Sequence, residues 1–221
     1  MHLPHEYQRF AQIALPPDEQ WVCTLSGRKF YPLAVGCGQI EIEDIAQGIS
    51  RRYRFGGQAP IDYTVAQHSV EVSRAVESLG VETALWGLLH DAAEAYLPDW
   101  QRPVKRAQAW YDVESNQFME FGVIELSILI SVARRFHLAE IHIPQAVHTA
   151  DFEQLQRERR DLFDDRQPRW ENLSGESDLP AIELPTWSPA QAKSEFLARF
   201  EQLMASRDRL LTAHEPLPTA H

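Results

Sequence analysis

The chain has 221 residues, 44% of them hydrophobic, and a formal net charge of -11. That length suits one domain with a sizeable core, and the acidic balance excludes a general nucleic-acid binder, which needs positive surface for the phosphate backbone. The two cysteines, Cys23 and Cys37, have no CxxC spacing, so neither a disulfide scaffold nor a zinc knuckle is expected.

The start, Met1 to Glu6, is polar and lacks a hydrophobic signal region. No apolar run is long enough to span a bilayer, so the expected location is cytoplasmic. Trp21 to Tyr31 reads as two short strands about a Ser26-Gly27 turn, a small hairpin covering one side of a helical body. Ile42, Ile45, Ala46 and Ile49 have helical spacing. Acidic residues in that segment's first turn suit the helix dipole.

Arg51-Arg52-Tyr53-Arg54-Phe55-Gly56-Gly57 is a basic segment in an acidic chain. It is either a solvated helix end or an anion clamp. Tyr63 to Leu79 reads as a helix ended by Gly80, and Val81 to Tyr96 as a strongly apolar, central helix closed by Pro98. Pro103 is expected to open a helix running to about Phe121, with Gly122 as its breaker. Val123 to Phe136 reads as a further helix, whose Ile124 to Ile130 stretch suits either core or a dimer surface. Pro144 opens another, running into Arg159-Arg160. The stretch 164–186, rich in Pro, Ser and Asp, reads as a loop ordered in part by Trp170 and Trp187. Ser188-Pro189-Ala190-Gln191 is a capped helix start, with Phe196, Phe200 and Leu203 on one face and a loose tail after Thr212. These elements give one domain over residues 1–221. The fold class is all-α, a compact helical bundle with room for a small N-terminal β-hairpin.

Of nine histidines, His2, His5, His214 and His221 lie near the ends and are expected in solvent. His90 and Asp91 are adjacent at the end of an apolar run. Their side chains diverge by about 100° on a helix, yet can converge on one ion lying between them. A buried carboxylate there is costly unless paired or ligated, and a His/carboxylate pair suits a borderline divalent ion. His68 on the preceding helix comes alongside if the two helices pair across Gly80. Asp151 is the candidate fourth ligand, with an Arg157 or Arg160 pair as its plain alternative. His148, three residues earlier, is a candidate neighbour or substitute ligand, whereas His137 and His142 are expected at the surface or core edge. Glu94, three and four residues after the pair, faces the same region, and Asp99 follows Pro98 at the mouth. Two carboxylates there offer a general base and an acid or positioning group, unless Glu94 is merely paired with a lysine or arginine.

The ordered set His68, His90-Asp91, Asp151 resembles the H…HD…D signature of the HD-domain superfamily, in particular its small bacterial branch that includes the 5'-deoxynucleotidases. Val65-Ala66-Gln67-His68-Ser69, His90 to Asp99 continuing to Lys105, and Ala150-Asp151 carry the likeness, which spans roughly Glu43 to Leu162. The resemblance implies an HD-type helical fold with a metal-site core of about 43–162, followed by a C-terminal loop and helix over 164–212. It implies one divalent ion (Mn, Co, Zn, Fe, Ni or Mg) held by His68, His90, Asp91 and Asp151. It also implies substrate contacts from Arg54 and Phe55, a phenylalanine where tryptophan is usual, with assistance from Glu94 and Asp99. The expected function is hydrolysis of the phosphomonoester of (deoxy)nucleoside 5'-monophosphates, with a homodimer common among such proteins. The alternatives are a deoxynucleoside triphosphate triphosphohydrolase, using Arg28, Arg51 and Arg52 for the added charge, and a non-catalytic metal-containing sensing or interaction module.

Overall fold

The computed structural model describes residues 20–112, 117–164 and 177–213. The expectations for His2, His5, Trp170, His214 and His221 lie outside these residues. Among the described residues the chain is mainly helical, with helices α1 (Ile42–Ile49), α2 (Val65–Ala75), α3 (Val81–Leu89), α4 (Arg102–Arg106), α5 (Phe121–Arg135), α6 (Gln145–Leu162) and α7 (Pro189–Ala213). Two antiparallel hairpins accompany them: β1 (Val22–Cys23) with β2 (Lys29–Phe30), and β3 (Ala109–Asp112) with β4 (Gln117–Glu120). The all-α fold with a small N-terminal hairpin is therefore as expected.

The first hairpin turns at Gly27, whose φ of +78° is a conformation glycine adopts without steric cost. Asp44, in the first turn of α1, fastens it by accepting from the backbone N and the Oγ of Ser26, each at 2.7 Å. Phe30 is fully buried and stacks on Tyr96, with ring centroids 3.8 Å apart.

Helix α2 starts where Thr64 Oγ1 accepts the Gln67 N–H at 3.1 Å, an N-cap. It ends at Ala75, earlier than the Leu79 expected, and a single 3-10 turn (Glu77–Leu79) leads to Gly80 at φ +112°. Helix α3 then packs against α2 at close range. A Cβ on Gly87 would lie 2.8 Å from Ser73 Cα, and the Ser73 hydroxyl donates to the Ala84 carbonyl at 2.8 Å. Gly87→Ala is accordingly expected to cost about 1–3 kcal/mol by overpacking, read as a lowered Tm, and to displace the His90 end of α3.

The expected helix from Pro103 to Phe121 does not form. Only the turn and a half of α4 is helical, and the chain then forms the β3–β4 hairpin, with Trp110 opposite Met119 and Tyr111 opposite Phe118. Aromatic residues favour the pleated surface over the helix, and Trp110 and Met119 pack on the main core. Gly122 is no breaker either: it lies in the first turn of α5, which begins at Phe121. Ile124 and Ile128 are buried in the core, while Val123 and Leu126 are exposed.

Helix α7 starts as expected, with Ser188 Oγ accepting the Gln191 N–H at 3.3 Å. Phe196, Phe200 and Leu203 are buried. Arg199, also buried, ties α7 to α2 by donating to Ser73 Oγ at 3.1 Å and pairing with Glu77 at 3.0 Å. No helix among the described residues is long and apolar enough to cross a membrane.

Candidate metal centre

Three elements bring His68, His90 and Asp151, three of the four expected ligands, into one group, with Asp91 beside the two histidines. His68 lies in the first turns of α2, fully buried. Helix α3 stops at Leu89 rather than continuing to Tyr96, so His90 is its C-cap residue and Asp91 leaves the helix at φ -101°, ψ 15°. This end is locally stabilised, because His90 Nδ1 donates to the Gly87 carbonyl at 2.8 Å, one of the acceptors that a helix end leaves over. Asp151 is on α6, one turn after Val147, which is buried in the core.

The ligand atoms of His68, His90 and Asp151 all lie within 4.8 Å of one another, a group that can hold a metal ion. His68 Nε2 is 3.2 Å from His90 Nε2 and 3.2 Å from Asp151 Oδ1. Asp91 Oδ2 is 3.4 Å from His90 Nε2 and 3.6 Å from His68 Nε2, and it is buried with no hydrogen-bond partner. The partners of the two Nδ1 atoms decide the tautomers. The Gly87 carbonyl can only accept, so His90 carries its proton on Nδ1. His68 Nδ1 faces Glu158 Oε1 at 2.6 Å. In the neutral rings both Nε2 atoms therefore present lone pairs to each other at 3.2 Å, a contact that a proton or a metal ion between them relieves. The donor set fits a divalent ion, and so does Asp91 Oδ2, which accepts no hydrogen bond and has only the longer ion pair with Arg54 Nη1 at 3.5 Å.

Glu158 is the residue that sequence reasoning misses. It is fully buried on α6 and bridges His68 Nδ1 to Arg54 Nε, 3.3 Å away. Burial alone would raise its pKa, but the Arg54 and His68 charges outweigh burial and hold it lowered, so it stays a carboxylate. A carboxylate behind a ligating histidine fixes the ring's tautomer and raises its basicity. Its signal is present in the periodicity: Glu158 lies seven residues after Asp151 and therefore on the same helix face. Glu158→Gln is expected to weaken divalent-ion affinity by about 10–100-fold, measured by competitive titration against a chelating dye.

Arg54 lies between the carboxylates, with Nη1 3.5 Å from Asp91 Oδ2. Its neighbour Phe55 has φ +60°, in the left-handed region that costs a bulky residue about 1–3 kcal/mol. Packing holds it there. The ring meets Phe163 edge-on at 4.9 Å, within a small apolar cluster with Tyr63, Leu162 and Ile182, and the Phe55 carbonyl accepts from Gln101 Nε2 at 3.0 Å.

Glu94 follows on a 3-10 turn, its N–H donating to the Asp91 carbonyl at 3.0 Å. It is buried, and Lys105 Nζ donates to its Oε1 at 2.8 Å and to Glu125 Oε1 at 2.7 Å. The lysine pair expected as the plain reading thus exists, yet Glu94 Oε2 and Asp99 Oδ2 are buried without a donor, and the two carboxyl groups lie within hydrogen-bond reach of each other, so that a proton on one can be shared with the other. Burial, then the Asp91 and Asp99 charges, pushes the Glu94 pKa well up. Burial and Asp91 raise Asp99 against Arg54 and Lys105.

The remaining candidates lie elsewhere. His137, His142 and His148 are exposed. Arg157 pairs with Glu71 and Arg160 with Asp161, so neither is the partner of Asp151. Arg28 pairs with Glu41 at 2.7 Å beside the first hairpin, and Arg51 is exposed.

The chain is similar to two proteins over most of its length. It is 32% identical over 190 residues to YfdR, an uncharacterized protein of Escherichia coli (strain K12), an alignment covering 85% of this chain and 97% of YfdR. It is 30% identical over 200 residues to RCAP_rcc00048, an uncharacterized protein of Rhodobacter capsulatus, covering 84% and 96% respectively. No protein-family model matches the chain.

Proposed function

The chain belongs to the same family as YfdR, and from the centre built on α2, α3 and α6 we propose that it is a divalent-metal-dependent phosphohydrolase of the HD-domain kind, acting on the phosphomonoester of (deoxy)nucleoside 5'-monophosphates. The observation that carries the reading is the facing pair of Nε2 atoms, His68 and His90 at 3.2 Å, with Asp91 and Asp151 beside them and unpaired oxygens of Glu94 and Asp99 close by. A purely structural ion needs the four ligands alone. Two further buried carboxylates with unpaired oxygens are costly to keep, and proton transfer gives them a use.

His68, His90, Asp91 and Asp151 would hold the ion. When bound, the ion supplies Lewis acidity toward water and the phosphoryl oxygens. Arg54 neutralises charge on the phosphoryl group, which its planar, multi-donor head suits. Glu94, anchored by Lys105 through Oε1, turns Oε2 toward the nucleophile. Its raised proton affinity makes it a stronger base than an ordinary carboxylate. The water loses its proton to Glu94 as the new P–O bond forms and the ester P–O bond breaks. Asp99, whose pKa is raised by burial and by the Asp91 charge, returns a proton to the leaving oxygen. The reading includes a cytoplasmic location and a homodimer, the latter motivated by the exposed Val123 and Leu126 of α5 and checked by sedimentation equilibrium.

The test is a screen of metal-stripped protein with Mn, Co or Mg against deoxy- and ribonucleoside mono- and triphosphates, with products separated by chromatography. Nucleoside plus free phosphate from monophosphates is the expected result. Release of tripolyphosphate would replace it with the triphosphohydrolase reading, for which Arg28 and Arg51 are poorly placed. Tight metal binding with no turnover of any substrate would leave the sensing module instead.

A further inference from the structure

Two arginines, Arg52 and Arg54, lead into the 54–57 turn. Tyr53 is extended at φ -89°, ψ 134° and forms a β-bridge with Thr64. The Arg52 carbonyl accepts the Val65 N–H at 2.9 Å, and the Arg54 N–H donates to the Tyr63 carbonyl at 2.8 Å. Arg52 and Arg54 flank the extended Tyr53, the Glu94 and Asp99 charges that follow α3 reach Arg52, and its carbonyl is pinned by a backbone bond to the first turn of the helix that bears His68.

The two guanidinium groups differ in what they already hold. Arg54 is engaged through Nε by Glu158 and through Nη1 by Asp91. Arg52 makes no ion pair within 4.0 Å among the described residues, and its Nε is buried without a hydrogen-bond partner. The Glu94 and Asp99 charges act on it against the effect of burial. A buried guanidinium N–H with no acceptor is costly, and the orphaned atoms around it form a matched set. Arg52 Nε lacks an acceptor, whereas Glu94 Oε2 and Asp99 Oδ2 lack donors. A phosphoryl group accompanied by a water or hydroxyl satisfies all three.

We propose that Arg52 is a substrate-binding residue that donates to a phosphoryl oxygen, and that it, with Arg54, makes the site a receptor for a phosphate dianion. The carboxylate pairs of Arg54 orient it and also neutralise part of its charge. Arg52 supplies the less compensated charge. The proposal rests on the phosphohydrolase reading for its substrate, but its probe is inorganic phosphate, which needs no turnover.

Phosphate binding to the Mn- or Co-loaded full chain is measured by calorimetry for the wild type, Arg52→Gln and Arg52→Lys. Arg52→Gln is expected to weaken phosphate binding by about ten- to a hundred-fold, the value of a charge-assisted hydrogen bond. Metal affinity should stay within about threefold of wild type, because Arg52 touches no ligand. Arg52→Lys keeps the charge without the planar fork and is expected to recover part of the loss. If nucleotides are hydrolysed, KM should rise in both variants by more than kcat falls. Unchanged phosphate affinity in Arg52→Gln at full metal loading overturns the proposal. So does a loss of metal affinity equal to the loss of phosphate affinity, which would mean that Arg52 only supports the fold. If Arg52→Gln fails to fold, unchanged phosphate affinity in Arg52→Lys is the overturning result. Metal-dependent phosphate binding without hydrolysis of any nucleotide would remove the enzyme reading and leave Arg52 standing. Hydrolysis indifferent to Arg52 would do the reverse.

Discussion

Asp91→Asn is expected to abolish both metal retention and hydrolysis while leaving the fold intact. Asparagine has the shape of aspartate, so the chain's exit from α3 is preserved. It lacks the charge, however, and the centre has only two carboxylates among its four candidate ligands. Burial would raise the Asp91 pKa, but His90, His68 and Arg54 together hold it well below the ordinary carboxylate range. Asp91 is thus fully anionic at any pH where the protein would be assayed. Its removal leaves two imidazoles, one carboxylate and the Arg54 cation, a set much less favourable for a divalent ion. The affinity loss should exceed the roughly 10–100-fold that a partner outside the ligand shell is worth, so dialysed protein should retain background metal by elemental analysis. Turnover should fall to the level of metal-stripped wild type, and so should that of Asp91→Ala. Wild-type turnover in either variant would defeat the hydrolase scheme at its centre.

The two kinds of site residue differ in how far sequence can reach them. His90 and Asp91 are adjacent at the end of an apolar run, so the cost of burying an unpaired carboxylate singles them out from the sequence alone. His68 needs only the assumption that the two helices joined at Gly80 pair, whereas Asp151 stays open against an arginine pair until the resemblance to the H…HD…D signature is added. Residues acting through another residue are harder to find. Glu158 sits two helical turns past Asp151 among arginines, where a carboxylate reads as one half of a surface ion pair. Its burial depends on contact with α2, some ninety positions away, which no local pattern contains. Arg52 is legible as charge but not as place, because the Glu94 and Asp99 charges that reach it come from a segment far along the chain.

Element boundaries follow the same division. Capping chemistry is local, and Thr64 and Ser188 mark helix starts close to where the sequence places them. The end of α3 falls almost two turns before the Tyr96 expected, because the run Ala92-Ala93-Glu94-Ala95 has high helical propensity and hides the break. A Cβ on Gly48 of α1 would lie 2.6 Å from Ala95 Cα, so α1 presses directly on this segment. The β3–β4 hairpin escapes a sequence reading because Pro103 signals a helix start, and the start does form as α4. Nothing local marks how soon that helix stops. Trp110, Tyr111 and Phe118 then pair across strands.

Metal-free protein should lose stability as the pH rises through the alkaline range, and bound metal should cancel that loss. His68 is fully buried. Burial and the Arg54 charge oppose its protonation, but Glu158 and Asp151 outweigh them and raise its pKa to about 10. The unfolded chain has the ordinary value near 6.5. A group whose folded pKa is raised contributes stability that is fully present below the unfolded value and is lost as pH rises through the folded one. The window is therefore pH 6.5 to about 10, and the sign is destabilisation with increasing pH. At about 1.4 kcal/mol for each tenfold change in proton affinity, the full effect is roughly 5 kcal/mol. For a chain of this size that corresponds to a fall in Tm on the order of 10 °C. His90, also raised, by Asp91 and Asp151 against burial, acts in the same direction. Lys105 is pushed up out of the window by Glu94 and Glu125 against the effect of burial, so its own titration does not contribute. Metal takes the His68 lone pair only after the proton leaves. Binding at pH 7 to 8 should therefore release about one proton, seen as a dependence of the calorimetric heat on buffer ionisation enthalpy, and affinity should rise with pH by up to about tenfold for each pH step. Melting curves of metal-free and metal-loaded protein from pH 7 to 10 should diverge, with the loaded curve the flatter one. His68→Gln, which cannot titrate there, should lose most of the slope in the metal-free protein. A flat metal-free profile in the wild type would mean that His68 is already neutral, and that the Glu158 and Asp151 carboxylates do not govern it.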